Sequence, residues 1–402
     1  MACAPRKSDG MVRIIMELEA RIGFAAKIFF ISLVLSACSA VRPPPLPPLG
    51  RELLPDGAIT TKTIRGNALI QADLAQALGQ RLKEQPRGRA VTMLALSGGG
   101  ANGAFGAGVM EGWTQRGDRP DFDVVTGIST GALMAPLIFL GEHYDDTLTK
   151  LYSNIQASRI YINRPLSEVF KELSIKDTGP LRALIREMVT DDFVEALGRE
   201  HQKGRRLFVG TTDLDLQRSV IWDIGAIAIG RSTDKVPKIR DILLASSSVP
   251  LIFPPVYFTV VHEGKAYQQM HVDGGIESPL LVPGLLSDLD NALNSLGFDR
   301  KTTKVRLYAL ANQQIEVENN QPVQPGIVAI AVATINHSQR SNLGSNLSRL
   351  QLLSKAQGVD MKVLAIPSGI RLERDSLEFD GVEMKLLYQL GLQMGGSTDS
   401  WK

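Results

Sequence analysis

A serine between two glycines, a glycine cluster upstream of it and an aspartate before two glycines far downstream are the residues of this chain equipped to break an ester. Gly127-Ile128-Ser129-Thr130-Gly131 follows the apolar Phe122 to Thr126 and precedes Ala132-Leu133-Met134-Ala135. That order gives G-x-S-x-G the strand, turn, helix setting of a nucleophile elbow. Glycines two residues to either side are required where backbone and helix crowd together on such a turn. Ser129 is expected as an exposed nucleophile at a helix N-terminus, where the backbone dipole favours developing negative charge.

Leu94-Ala95-Leu96-Ser97-Gly98-Gly99-Gly100-Ala101-Asn102-Gly103-Ala104 places the glycine cluster between an apolar strand and a helix. Successive glycine amides at a helix start form an anion cradle, which suits a tetrahedral oxyanion. Gly98, Gly100 and Gly103 also satisfy the dinucleotide fingerprint, whose acidic partner should end the next strand. Asp123 has the approximate spacing but begins its strand instead of ending it. The third group, Asp273, stands in Gln269-Met270-His271-Val272-Asp273-Gly274-Gly275. Burial raises a carboxylate's pKa towards that of a useful base, and contact with a serine hydroxyl compensates for modest basicity. Ser129 and Asp273 are thus expected to pair as a dyad.

The five histidines bear on whether a triad is present instead. His143 and His201 flank helical segments and read as surface residues, and His262 lies in a polar loop beside Glu263. His271 shares a strand face with Asp273 if that segment is extended, and reads as a structural neighbour. His337 follows Ser129 and Asp273 in the chain order of an α/β-hydrolase triad but has no local signature. No H-E-x-x-H or other metal-ligand spacing surrounds any of them, so no metal or other cofactor is implied.

Short apolar runs alternating with longer amphipathic segments set these residues in an α/β frame. Strands are expected at Ala90–Leu96, Val124–Thr126, Leu207–Thr212, Ser219–Asp223, Lys304–Ala311 and Lys362–Ile366. Helices are expected at Ala68–Glu84, Ala104–Arg116, Ala132–Leu140, Pro180–His201, Ile239–Ser246, Gly326–His337 and Gly381–Met394. The segment Leu151 to Asp192 is a candidate cover for the site. With 402 residues, 44% of them hydrophobic and 21% charged, the chain excludes wholesale disorder and a polytopic membrane protein. A net charge of +2 is too small to argue for nucleic-acid binding.

The two cysteines, Cys3 and Cys38, lie near the start of the chain, so the body can hold no disulfide framework. Arg21 and Lys27, the apolar Ile28 to Leu35 and the small Ser36-Ala37 follow the order of an export signal and are too short for a spanning helix. Leu35-Ser36-Ala37-Cys38 resembles the bacterial lipobox, which implies cleavage after residue 37, lipidation of Cys38 and an envelope location, with Ser39 leaning towards the outer membrane. Met11 and Met16 rival Met1 as the start. Pro43-Pro44-Pro45-Leu46-Pro47-Pro48 is expected to project as a stiff spacer. The resulting division is a signal peptide over 1–37, a lipidated and Pro-rich extension over 38–87 and a catalytic domain over 88–396.

Taken in order, Gly98 to Gly103, Gly127 to Gly131 and Asp273-Gly274-Gly275, with Ala245-Ser246-Ser247-Ser248-Val249-Pro250 and Phe253-Pro254-Pro255, resemble the patatin-like phospholipase family across Val91 to Met394. The resemblance implies a three-layer α/β sandwich with a mostly parallel central sheet. It implies Ser129 as nucleophile, Asp273 as general base and the Gly98, Gly99 and Gly100 amides around the oxyanion, with Gly103, Gly127, Gly131, Gly274 and Gly275 supporting those motifs. Many members carry Arg or Lys where Asn102 stands here. The expected activity is hydrolysis of fatty-acyl esters, with a membrane phospholipid or lysophospholipid as substrate and the membrane surface as partner through the lipid anchor. Two readings of other classes stand beside it: a nucleotide-binding oxidoreductase using the glycine loop, and a catalytically silent envelope scaffold.

Overall fold

The computed structural model describes residues 42–47, 53–60, 64–85, 89–153, 155–165, 168–169, 172–282, 294, 297–298, 303–316, 322–323 and 325–402. The signal-like segment, Cys38 and Pro48 lie outside the described residues. In chain order the elements are β1 (Ala58–Ile59), α1 (Ile64–Glu84), β2 (Val91–Leu96), α2 (Gly103–Arg116), β3 (Val124–Gly127), α3 (Thr130–Leu140) and α4 (Asp145–Ser153). They continue through β4 (Ile162–Asn163), β5 (Lys176–Asp177), α5 (Gly179–Met188), α6 (Asp191–Gln202), β6 (Arg206–Asp213), β7 (Arg218–Asp223), α7 (Ile224–Ile229) and α8 (Lys235–Ser246). The last are β8 (Val256–His262), β9 (Lys265–Asp273), β10 (Val305–Ala311), α9 (Ile327–Ala356), β11 (Asp360–Ala365) and α10 (Gly381–Gly396).

Strands β11, β10, β2, β3 and β6 lie side by side and parallel, and β7, β1 and the β8–β9 hairpin extend the sheet antiparallel. All six residues of β2 are buried, as a central parallel strand covered on both faces demands. Its side chains alternate between two cores. Leu94 and Leu96 face the core holding Phe105, Trp113, Phe139 and Leu387, whereas Met93 and Ala95 face the core holding Leu74 of α1 and Leu343 and Leu347 of α9. The result is a three-layer α/β sandwich with helices on both faces of a mixed, mostly parallel sheet.

Loops carrying function follow from this direction of the strands, because ligands bind at the carboxyl ends of a parallel sheet. The Ser97–Gly103 loop leaves β2, the Gly127–Thr130 turn leaves β3, and Asn312 follows β10. Behind these loops, α2 and α10 pack with backbones almost touching. A Cβ on Gly108 would lie 2.1 Å from the Tyr388 carbonyl oxygen, and one on Gly391 would lie 2.0 Å from that of Phe105.

Four expectations need correction. Pro180–His201 is two helices, because Thr190 leaves the helix and its hydroxyl caps the next one by accepting from the Phe193 amide at 3.2 Å. The helix expected to end at His337 runs on to Ala356, since Leu343, Leu347 and Leu350 bury one continuous face under the sheet. Helix α4 and the β8–β9 hairpin were not expected, and Asp273 ends β9, so the segment holding His271 and Asp273 is extended. Residues 42–47 are neither helix nor strand, yet they do not project: Pro44 O accepts from the Gln268 amide at 2.9 Å and Arg42 pairs with Asp215.

Candidate active site

Ser129 sits at the N-cap of α3 with φ 55° and ψ −125°, a conformation that side-chain-bearing residues seldom adopt. Three neighbours hold it there. Its amide donates to Ser246 Oγ at 3.0 Å, and that hydroxyl donates onward to Gly210 O at 2.7 Å, locking the turn to β6. The flanking glycines are obligatory by contact. A Cβ on Gly127 would meet Gly131 O at 2.3 Å, and one on Gly131 would meet Leu96 O at 2.6 Å. Strain of this kind aims one hydroxyl off the end of the sheet, but Ser129, expected to be exposed, is only 9% exposed, enclosed by the glycine loop and the walls of the spaces described below.

The glycine loop lies directly against the serine, with a Gly98 Cβ position 3.0 Å from Ser129 Cβ. Gly99 and Gly100 have φ of 156° and 54°, and side chains there would strike Asn312 O and Ser376 O. Among the described residues the amides of Gly98, Gly99 and Gly100 have no acceptor, whereas the next two amides, of Ala101 and Asn102, bond Ser376 O and Gly99 O. Unpaired donors beside a nucleophile are what an oxyanion site supplies. Asn312 was not foreseen, yet it braces the loop: its amide donates to Ser97 Oγ at 2.8 Å and its side chain to Ser97 O at 3.0 Å. The only sequence cue to it was its place just past the carboxyl end of β10.

Asp273 arrives from the far side of β6, paired opposite Thr211 and with its amide bonded to Ser248 O at 2.9 Å. Gly274 must be small, because a Cβ would lie 2.5 Å from Gly210 O. The carboxylate is 1% exposed; Oδ1 accepts from the Gly275 amide at 2.7 Å. Burial pushes its pKa up to about 6, with the Ser129 hydroxyl and the Gly275 amide pulling the other way. Oδ2 is sealed without a fully formed hydrogen bond, so the hydroxyl is close enough to act on the carboxylate but has not closed on it. Candidate bases often tighten onto their partner only when substrate binds.

Two spaces meet at Ser129. One is an apolar cavity of about 60 Å3, walled by Leu133 of α3, Leu151 and Tyr152 of α4, Ile155, Leu184 and Met188 of α5 and its neighbours. Much of that wall comes from the segment Leu151 to Asp192, the expected cover. The other is a broad groove that takes in Gly98 to Gly100, Asn102, Asp273 and Gly275 on one side and α9 on the other. The histidines do not join the pair in contact. His337 is exposed on α9 and lines the groove's outer part, while His271 is fully buried against Trp222 and Phe258 with Nδ1 2.9 Å from Thr211 Oγ1. Burial drives the His271 pKa down to about 3, and the groups acting on Asp273 do not include it. His201, expected at the surface, is buried beside Asp223 at 3.5 Å, with a pKa lowered to about 4 by burial. Asp123 cannot serve a ribose: it is buried and already bound by Arg81 Nε at 3.0 Å, Arg89 Nη1 at 2.8 Å and the Thr92 amide at 2.8 Å.

Residues 94–286 match the family model described as patatin-like phospholipase, a narrower span than the resemblance read from Val91 to Met394. "Patatin-like protein 2" of Oryza sativa subsp. indica is 26% identical over 204 residues, 46% of this chain and 49% of the relative. "Patatin-12" of Solanum tuberosum is 26% identical over 214 residues, 49% of this chain and 52% of the relative. The chain therefore spans about half the length of the curated relatives it matches. Among solved structures, VipD from Legionella pneumophila aligns over 87% of this chain and 71% of its own, at 13% identity and a TM-score of 0.36, too loose a superposition to bear on the site.

Proposed function

From a chain whose residues 94–286 belong to the patatin-like phospholipase family, we propose that the protein is a serine acyl hydrolase acting on fatty-acyl esters of membrane lipids through a Ser129–Asp273 dyad. The observation that carries this reading is the meeting of Ser129, a buried carboxylate and three acceptor-free amides at the mouth of an apolar cavity. The acyl chain enters the cavity and its carbonyl carbon lies against Ser129 Oγ. Oγ attacks as its proton passes to Asp273, and the negative charge that develops on the carbonyl oxygen is taken up by the amides of Gly98, Gly99 and Gly100. Each such donor is typically worth about 3 kcal/mol at the transition state. Collapse of the intermediate expels the alcohol, which recovers the proton from Asp273, and water activated by the same carboxylate releases the fatty acid from the acyl-enzyme.

Fluorophosphonate labelling at Ser129, together with fatty-acid release that is lost in Ser129→Ala while the fold is kept, is the result expected. Unchanged release by the purified variant, or no labelling of the folded wild-type protein, would remove the proposal and favour the silent scaffold. Beside the chemistry we place an anchor: Cys38, in its lipobox-like setting, carries lipid and keeps the enzyme at its substrate. Acyl chains contribute about 0.8 kcal/mol per buried methylene, so two or more hold a protein firmly to a bilayer.

A further inference from the structure

Helix α9 forms the far wall of the groove and is fastened by carboxamides to the chain that follows Asp273. Asn346 Nδ2 donates to Ser278 Oγ and to Leu280 O, both at 3.2 Å, and one turn nearer the groove Asn342 Nδ2 donates to Ile276 O at 3.4 Å. Residues three and four apart lie on one helix face, so the next carboxamide in the row is that of Gln339. It reaches Gly275: a Cβ there would lie 3.2 Å from Gln339 Nε2 and 3.0 Å from Asp273 Oδ1. Gln339 is the member of the row that lines the groove with Ser129 and Asp273, and among the described residues its carboxamide makes no hydrogen bond.

Gln339 and Asp273 thus stand on either side of a gap that one water molecule spans, since two hydrogen bonds end to end reach about 6 Å. Gln313 also lines the groove, but it follows Asn312, on the side of the glycine loop. Hydrolysis of an acyl-enzyme makes three demands on its water. One hydrogen goes to the base, a lone pair meets the carbonyl carbon, and the second hydrogen must be held so that the molecule does not turn away. Asp273 meets the first demand. A carboxamide oxygen meets the last, and half a turn of the Gln339 carboxamide sets Oε1 where Nε2 stands.

We infer that Gln339 orients the deacylating water: its Oε1 accepts one hydrogen while Asp273 takes the other, which turns a lone pair onto the acyl carbon held by Ser129. The new carbon–oxygen bond forms as the proton passes to Asp273. The tetrahedral intermediate then breaks its bond to Ser129 Oγ, which recovers that proton as the fatty acid leaves. This rests on the acyl-hydrolase reading and gives the groove a further task, the choice of acyl acceptor. An alcohol carries carbon where water carries its second hydrogen, so Gln339 has nothing to hold in an alcohol and favours water over it. Acylation is spared for the same reason, because no water takes part in it.

The test supplies p-nitrophenyl butyrate in water containing a fixed fraction of methanol, so that one acyl-enzyme yields either butyrate or methyl butyrate. In Gln339→Leu, which keeps the packing but not the polar group, the ratio of methyl butyrate to butyrate rises about tenfold, the effect of one hydrogen bond. At the same time kcat/KM for p-nitrophenol release, which reports acylation, stays at the wild-type value. Asn342→Ala removes the neighbouring fastening of α9 and keeps the wild-type ratio. A ratio read within one preparation cancels any loss of folded protein, and Gln339→Met serves if the leucine variant does not fold. A ratio unmoved by Gln339→Leu overturns the inference. An equal rise in Asn342→Ala does so too, since the seating of α9 would then matter and the carboxamide would not. If the wild-type protein releases p-nitrophenol through Ser129 and the ratio does not answer to Gln339, this inference fails alone; if it releases none, the acyl-hydrolase reading fails with it.

Discussion

A carboxyl group buried beside a hydroxyl has its ionisation coupled to the folding of the protein. Asp273 has an ordinary value of 3.8 in the unfolded chain and is held near 6 when folded, chiefly by burial. Below pH 4 both states are protonated and the group is neutral towards stability. Between pH 4 and 6 the unfolded chain releases its proton first, so the stability this group lends declines, and above 6 the loss is constant, on the order of 3 kcal/mol. Asp273→Asn keeps the Gly275 hydrogen bond and removes the charge. It is expected to raise the melting temperature at pH 8 but not at pH 4, while abolishing hydrolysis; equal shifts at both pH values would show that the carboxylate is not desolvated. The wild-type rate should rise with pH through a midpoint near 6, because the base must be ionised. Ser129, Asp273 and the three glycines were legible because each motif carries its own backbone requirement, a turn or an amide left unpaired. Ser246 and Asn312 were not: a serine at a helix end and an asparagine after a strand have no local pattern, and only the folded sheet brings them to the elbow and the glycine loop.

Elements were readable where their periodicity is local. Strands β2, β3, β6 and β10 were found nearly to the residue because buried parallel strands are unbroken apolar runs bounded by loops. The β8–β9 hairpin was overlooked although Val256–His262 alternates buried and exposed and Glu263-Gly264, with φ of 50° and 76°, closes a tight turn. The break at Thr190 was likewise written as a cap followed by Asp191 and Asp192. What no pattern displays is how near two helices stand. Gly108→Ala forces α2 away from the Tyr388 carbonyl and is expected to cost about 2–4 kcal/mol by denaturant titration, the scale of core overpacking and lost contacts. A cost below 0.5 kcal/mol would mean that α10 does not pack there. On the cavity side, α5 presents Leu181, Leu184, Ile185 and Met188 at helical spacing to the apolar space. Leu184→Trp, filling part of that volume from a half-buried position, is expected to lower kcat/KM for palmitoyl esters about tenfold while butyryl esters change little. Equal effects on both chain lengths would show that the acyl group lies elsewhere.

At the scale of the whole molecule, the polyproline run was expected to hold the globule away from its anchor, and the docking of residues 42–47 on β9 changes that geometry. Composition gives a proline segment its stiffness, but not the free amide of Gln268 on the sheet or the carboxylate of Asp215 that receive it. Only three residues separate Cys38 from Arg42, so a lipid on Cys38, as proposed, would be tethered within about 14 Å of the Arg42 backbone, the reach of four extended residue steps. If the proposed lipid is carried there, a tether this short would hold one side of the globule against the lipid surface, whereas a projecting spacer would let it tumble. Cys38→Ser is therefore expected to move the protein from the membrane to the soluble fraction while hydrolysis of micellar substrate persists, since the groups placed around Ser129 all come after residue 94. Arg42→Ala leaves the anchor but loosens the strap, and should speed hydrogen exchange several-fold in the peptide Lys265–Asp273, where the Gln268 amide loses its partner. Exchange that is identical in the two proteins would mean that the strap is not seated on β9 in solution, and the globule would then stand off from the bilayer by the full reach of its prolines.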